Sequence, residues 1–214
     1  MPNPLTLILK LLFLITVPFL ILIRLAVYLH TSSNLLPWLC IIVSVMMTTF
    51  VIFIYLTIVH SYFSEQDNIY NFRRRIILSL IIVGLYAIHG LFYIKSDNFK
   101  SKDIKSEIHE VHPVLRLAAS TLIHLDKELV ITDAERQPED YKKMGLKSLK
   151  NSLHYTQSTG YTHAIDLRTR NRPAWKNFLV RSYFYAMGFR TLRHTGTADH
   201  LHVSLMSHER PNAK

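Results

Sequence analysis

The sequence predicts an α+β domain, a small antiparallel sheet with packed helices, preceded by three transmembrane α-helices. Three observations predict it. Leu, Ile, Val and Phe dominate the chain as far as Lys95, whereas from Ser96 onward it reads as an ordinary soluble mixture. In the apolar half, the stretches 5–29, 36–59 and 76–94 each approach the ~20 residues needed to cross a bilayer. In the polar half, short runs rich in β-branched residues alternate with segments of helical period. The expected boundaries are a membrane domain over 1–95, a linker over 96–111 and a soluble domain over 112–214.

The first span carries Lys10 and Arg24, which can snorkel toward opposite interfaces; the second and third carry no charged residue. No basic segment precedes the first apolar run and no small-residue cleavage site follows it, which argues against a removable signal peptide. Arg73, Arg74 and Arg75 stand just before the third span, and the connection 30–34 has no Lys or Arg. By the positive-inside rule the arginine loop and the N-terminus are cytoplasmic and the C-terminal domain is extracytoplasmic, on the periplasmic or cell-wall side. Tyr28 and Trp38 suit the outer interface, Tyr62 and Tyr70 the inner one. His60 and His89 read as interfacial or packing residues.

Most of the net charge of +10 belongs to the soluble part. A basic surface suits an anionic partner. No zinc-finger spacing or aromatic RNA-binding motif supports nucleic acid, so cell-wall polymer and the headgroups of the lipid bilayer are the expected partners. The single cysteine, Cys40, lies in the second apolar run, which excludes an intrachain disulfide and a thiol nucleophile in the soluble domain.

In the soluble half, 96–106 is polar and mixed in charge, a linker or an exposed helix start. Pro113 suits the first position of a helix whose apolar face is Val114, Leu117, Ala118, Thr121, Leu122 and Leu125. His109, His112 and His124 read as surface or boundary residues of that helix. LVIT, 129–132, is a core strand feeding DAERQPEDY. Arg136 there can project into a cleft to hold a carboxylate or an oxyanion, or pair on the surface with Glu135 or Glu139. The basic stretch 142–150, broken by Gly145, reads as a solvated loop. AIDL is a second strand. A helix over 173–187 offers Trp175, Phe178, Leu179 and Phe184 as core candidates, and Gly188 can end it. FRTLRH leads through TGTA to a last strand, DHLHV, and the tail beyond Leu205 is short, polar and expected to be mobile.

The chemistry concentrates in SLHYTQSTGYTHAIDLRT, 152–169, and ADHLHVSL, 198–205. They supply His154, Asp166 and His202, with Asp199 three residues before the last. Three N/O ligands with an open fourth position are what a catalytic zinc ion (Zn2+) takes. Zinc lowers the pKa of bound water toward ~7, and a nearby carboxylate can take the proton. His200 and His202 share one face of a strand, so both can reach one metal, or one ligates while the other stands behind it. Asp166 among apolar neighbours needs a partner, which coordination supplies.

SLHY…AIDLRT followed by DHLHV resembles the zinc D-alanyl-D-alanine carboxypeptidase and dipeptidase family, which also contains phage-type L-alanyl-D-glutamate endopeptidases. That family's pattern is Ser-x-His-x(6)-Asp, with Gly and Ala before the Asp, and a later Glu/Asp-x-x-His. HPVLR and LVITDAERQPEDY resemble its upstream helix, strand and Arg-bearing turn, so the likeness covers roughly 112–205. The resemblance implies a hydrolase, a metallopeptidase of peptidoglycan stem peptides. In it His154, Asp166 and His202 bind zinc, Asp199 is the general base, Arg136 steadies the oxyanion or orients substrate, and Ser152 supports the His154 loop. Here five extra residues separate His154 from Asp166, and Thr162 stands where the family has Gly. His163 is therefore a rival ligand to His154, and His200 a contact behind the ligands or to substrate. A wall-peptide-binding module with an inactive zinc site is the alternative expectation.

Overall fold

In a computed structural model, residues 4–63, 68–143, 145, 150–196 and 199–213 are described. Among them three helices are long and apolar enough to cross a membrane. These are α1 (Pro4–Ser33), α2 (Pro37–Phe63) and α3 (Ile69–Phe92). α1 runs on through Pro18, and Asn34 at φ 48° turns the chain into α2, a left-handed conformation that Asn tolerates. α3 starts seven residues ahead of the expected span because Arg73–Arg75 continue the helix, and the Asn68 side chain accepts the Asn71 N–H at its start.

Beyond them follow α4 (Lys102–Glu107), α5 (Pro113–Leu125), β1 (Ile131–Asp133), α6 (Pro138–Lys143), β2 (Ala164–Arg168), α7 (Ala174–Met187), β3 (Arg190–His194) and β4 (His200–Ser204). The strands form an antiparallel sheet in the order β1-β2-β4-β3. Strand alternation sorts the residues into two faces. Ile165, Leu167, Leu201 and Val203 are buried and join one apolar cluster with Val114, Leu115, Leu117 and Phe184. The opposite face carries Asp166, His200 and His202.

α5 is more buried than an amphipathic surface helix, because it lies between the domain and the membrane helices. Val114, Leu115, Leu117, Ala118 and Ala119 have no exposed surface, while Leu125, expected on the apolar face, protrudes at the C-terminal end. Gly90 of α3 permits the contact: a Cβ there would stand 2.5 Å from Leu117 Cδ1. Tyr86 and Thr121 share a hydrogen bond of 2.6 Å across the same joint. On the other side Arg24 of α1 donates to the Met187 carbonyl at 3.4 Å, at the C-terminal end of α7, where a cation suits the helix dipole. The upper turns of α1 and α3 are therefore covered by protein: Leu22, Ile23, Ala26, Val27, Val83 and Leu91 are buried. The part of α1 up to Arg24 still spans about 30 Å at 1.5 Å per residue, the thickness of a hydrocarbon core.

Three sequence expectations are corrected here. The 96–111 segment is folded onto the sheet: the Asn98 amide donates to the Lys127 and Leu129 carbonyls, and Lys100 N–H to Ile131. In α7 only Phe184 of the four core candidates is buried; Trp175, Phe178 and Leu179 are 61%, 67% and 54% exposed. The helix buries Asn177, Val180, Phe184 and Met187 instead, so its remaining apolar stripe faces outward. The tail is also fixed: Arg210 donates to the Ser152 carbonyl, Arg190 to those of Pro211 and Ala213, and Ser207 is buried. The 142–150 loop and the TGTA turn fall largely outside the described residues.

Candidate metal centre

β2 and β4 pair in a register that sets Asp166 opposite His202 and Arg168 opposite His200. Directly opposed residues of an antiparallel pair share a face, so a carboxylate and an imidazole meet without any loop having to place them. The third group comes from a loop. His154 sits ahead of β2, its backbone tied down by Arg136 N–H to the His154 carbonyl (3.1 Å) and by Ser152 Oγ, which accepts the His154 N–H (3.2 Å). Tyr141 braces Ser152 in turn at 2.7 Å. The His154 ring donates from Nδ1 to the Ala134 carbonyl at 2.6 Å, which fixes the tautomer and leaves the Nε2 lone pair facing Asp166.

The three candidate ligand atoms are already at coordination spacing. His154 Nε2 lies 3.2 Å from His202 Nδ1 and 3.3 Å from Asp166 Oδ1, and the latter two are 2.9 Å apart. Zinc bonds of ~2.0–2.1 Å in a tetrahedron require ligand atoms about 3.3–3.4 Å apart. All three side chains are buried. Two imidazole nitrogens and one carboxylate oxygen fit a zinc ion; with Nδ1 as its ligand atom, His202 would keep its proton on Nε2, which is buried with no hydrogen-bond partner among the described residues. His163, the rival ligand, is not in this group: it lies with His30 and His112.

Burial alone would raise the Asp166 pKa, but the His154 and His202 imidazoles, when they carry the extra proton and donate to it, outweigh burial and hold the carboxyl well below its usual range. Burial pushes His202 down, against the raising effect of its Asp166 bond. Away from the triad, burial lowers His163 to about 4 and His112 well below its ordinary value, so both rings are neutral at neutral pH.

Arg136 takes the first of its two expected settings, lining the cleft and holding a carboxylate, which is that of Asp166. Nη2 donates to Asp166 Oδ2 at 2.6 Å, Nε to Asp133 Oδ2 at 2.7 Å and Nη1 to the Tyr141 hydroxyl at 3.4 Å. The guanidinium thus holds the second oxygen of the candidate ligand, and Asp166 and Asp133 raise its pKa despite burial. Asp133 follows the LVIT run directly and pairs opposite Asp166 in the sheet, the signal from which it could have been read. His200 stacks on His194 and places Nε2 3.6 Å from Asp166 Oδ2.

Asp199 lines the same cleft, of about 1180 Å³, as the triad. It stands just ahead of β4, its Oδ1 accepting from Thr169 Oγ1 at 2.6 Å and its Oδ2 from Arg193 Nη2 at 2.9 Å. Those two hydrogen bonds lower its pKa, so the unliganded protein holds it as a clamped carboxylate. Lys100, Arg136, Lys150, Arg168 and Arg170 make the cleft wall basic. Comparison with family models, with characterised proteins and with solved structures finds no significant match.

Proposed function

We propose that the chain is a membrane-anchored zinc metallopeptidase that hydrolyses peptide bonds of peptidoglycan stem peptides outside the cytoplasm. The observation that carries the reading is the buried His154–Asp166–His202 triad, with ligand atoms 2.9–3.3 Å apart on the floor of an open cleft. Bound there, zinc would supply an acidified water and a Lewis acid for the scissile carbonyl. The chain's own groups do the rest. Arg136 keeps Asp166 charged and oriented. The basic wall draws a peptide that carries free carboxylates, as stem peptides do. Asp199 receives the proton of the attacking water and returns it to the leaving amine, which requires Arg193 to release its carboxylate as substrate enters.

That clamp favours a second reading, a zinc-bound module that holds wall peptides without cutting them. Full-length protein in lipid nanodiscs, loaded with zinc and incubated with purified peptidoglycan, separates the two. Release of D-Ala or of a cleaved stem peptide, detected by mass spectrometry and lost in Asp199→Asn, is expected of the peptidase. Stoichiometric zinc and retained peptide with no released fragment would overturn it in favour of the binding module.

A further inference from the structure

A second group of histidines lies away from the cleft, where the membrane helices meet the domain. His30 comes from the last turn of α1, His112 is the residue that caps α5, and His163 immediately precedes β2. None has exposed surface. Their ring centroids are 4.6 Å apart for His30–His112, 4.8 Å for His112–His163 and 5.3 Å for His30–His163. One ligand nitrogen of each lies within 4.8 Å of the others.

The outer side of this cluster is organised as metal-bound histidines require. The Met206 carbonyl oxygen lies 3.1 Å from His30 Nε2 and 3.3 Å from His163 Nδ1, so it accepts an N–H from each ring. Such bonds fix the tautomers and leave His30 Nδ1 and His163 Nε2 as lone pairs. His30 Nδ1 is buried with no hydrogen-bond partner among the described residues, and so is His112 Nε2. Among the described residues His163 Nε2 hydrogen-bonds the Thr159 hydroxyl, at 2.8 Å, and a hydroxyl can turn aside. Buried ring nitrogens left unpaired are costly in a folded protein, and two in one cluster call for a common partner.

We propose that His30 Nδ1, His112 Nε2 and His163 Nε2 form a second metal site that takes a divalent cation of zinc type and clips transmembrane helix α1 to the domain. Three imidazoles without thiolate or a crowd of carboxylates suit zinc, copper(II) or nickel and disfavour calcium and magnesium. Binding draws the rings together, from separations of up to 4.8 Å toward the ~3.3 Å of a tetrahedral site. His112 then carries its proton on Nδ1, and the Val114 amide gives up its long contact of 3.3 Å to that atom. A water fills the fourth position. His208 reinforces the same joint from outside, its Nε2 donating to the His30 carbonyl at 2.7 Å.

The clip reaches the cleft through β2, since Asp166 stands three residues beyond His163. It does not rest on the peptidase reading, and the two sites can be emptied separately. The test uses full-length protein in nanodiscs, stripped with chelator, reloaded with Zn2+ and dialysed, with metal counted by mass spectrometry. Two zinc ions per chain are expected, falling to one in the cleft variant His154→Ala/His202→Ala and to one in the junction variant His30→Gln/His163→Gln. Co2+ in the cleft variant should give the intense visible absorption of a four-coordinate site. A folded, monodisperse cleft variant that binds no zinc overturns the proposal. Should that variant not fold, the junction variant decides: the loss of one ion relative to wild type supports the second site, and an unchanged count overturns it.

Discussion

Replacing Arg136 with Met tests the electrostatic logic of the cleft. Asp166 is almost wholly buried and divides its charge between two sets of donors: Oδ1 meets His202 at 2.9 Å and Oδ2 meets Arg136 at 2.6 Å. Met keeps most of the side-chain volume but leaves Oδ2 with only His200, at 3.6 Å, too far for a good hydrogen bond. Removing one partner of a buried ion pair costs ~3–5 kcal/mol, because the remaining charge stays buried without compensation. Asp133, which is partly exposed, recovers its loss from water. Metal-free Arg136→Met should therefore melt markedly below wild type. Loss of a group that orients a ligand weakens metal affinity about 10–100-fold, and isothermal titration with Zn2+ reads that directly. Arg136→Lys should fall between, since an ammonium reaches one carboxylate but cannot bridge Asp133 and Asp166 in the same plane. An Arg136→Met protein with wild-type zinc affinity and melting point, but lower turnover, would refute the reasoning. Arg136 would then act on substrate rather than on Asp166.

Further outcomes follow from other contacts. Arg193→Met removes the first hydrogen bond that lowers the Asp199 pKa, so Asp199 becomes protonated at higher pH and the acid limb of the kcat/KM profile should move up. His163 binds its proton near pH 4 in the folded chain and near its ordinary 6.5 when unfolded. Stability from the neutral ring is thus full above pH 6.5 and lost as pH falls toward 4, up to about 3 kcal/mol; thermal melts of metal-free protein across that window should show the fall, and His163→Gln should make it shallower, the buried His112 still contributing. Gly188→Ala puts a Cβ at φ 95°, where it would stand 2.0 Å from Arg24 Nη1, so the α1–α7 joint should loosen and the melting point drop. The exposed Trp175, Phe178, Leu179 stripe of α7 should sit in lipid: in Trp38→Phe, the fluorescence of Trp175 should be quenched by brominated lipid and shielded from aqueous acrylamide, with the reverse pattern counting against it.

Much of this architecture is written in local pattern. A run of about 20 apolar residues has few options other than a spanning helix, because each buried backbone amide must be bonded within its own segment. The α5 helix and the strands holding Asp166 and His202 show their periods directly, and those two strands alone place two of the three cleft groups. The motif spacing also marked His154 and His163 as rivals. Choosing between them needed the fold: the Ala134 carbonyl and Ser152 anchor His154 over the sheet, while Met206 turns His163 to the other side.

The sequence by itself determined three segments long and apolar enough to span a membrane, a mixed α+β domain behind them and a short list of metal-binding residue types, since each rests on interactions within about twenty residues. Only the tertiary structure decided which side chains share a site. Arg136 met Asp166 rather than a surface glutamate because a buried carboxylate must be paired. Asp199 was clamped because Thr169 and Arg193 arrive from other strands and turns. His30 met His112 and His163 across 133 positions of chain, because a membrane helix, a helix cap and a strand end pack at one joint. Such long-range pairings are set by burial and register across the whole molecule, and no window of sequence contains them.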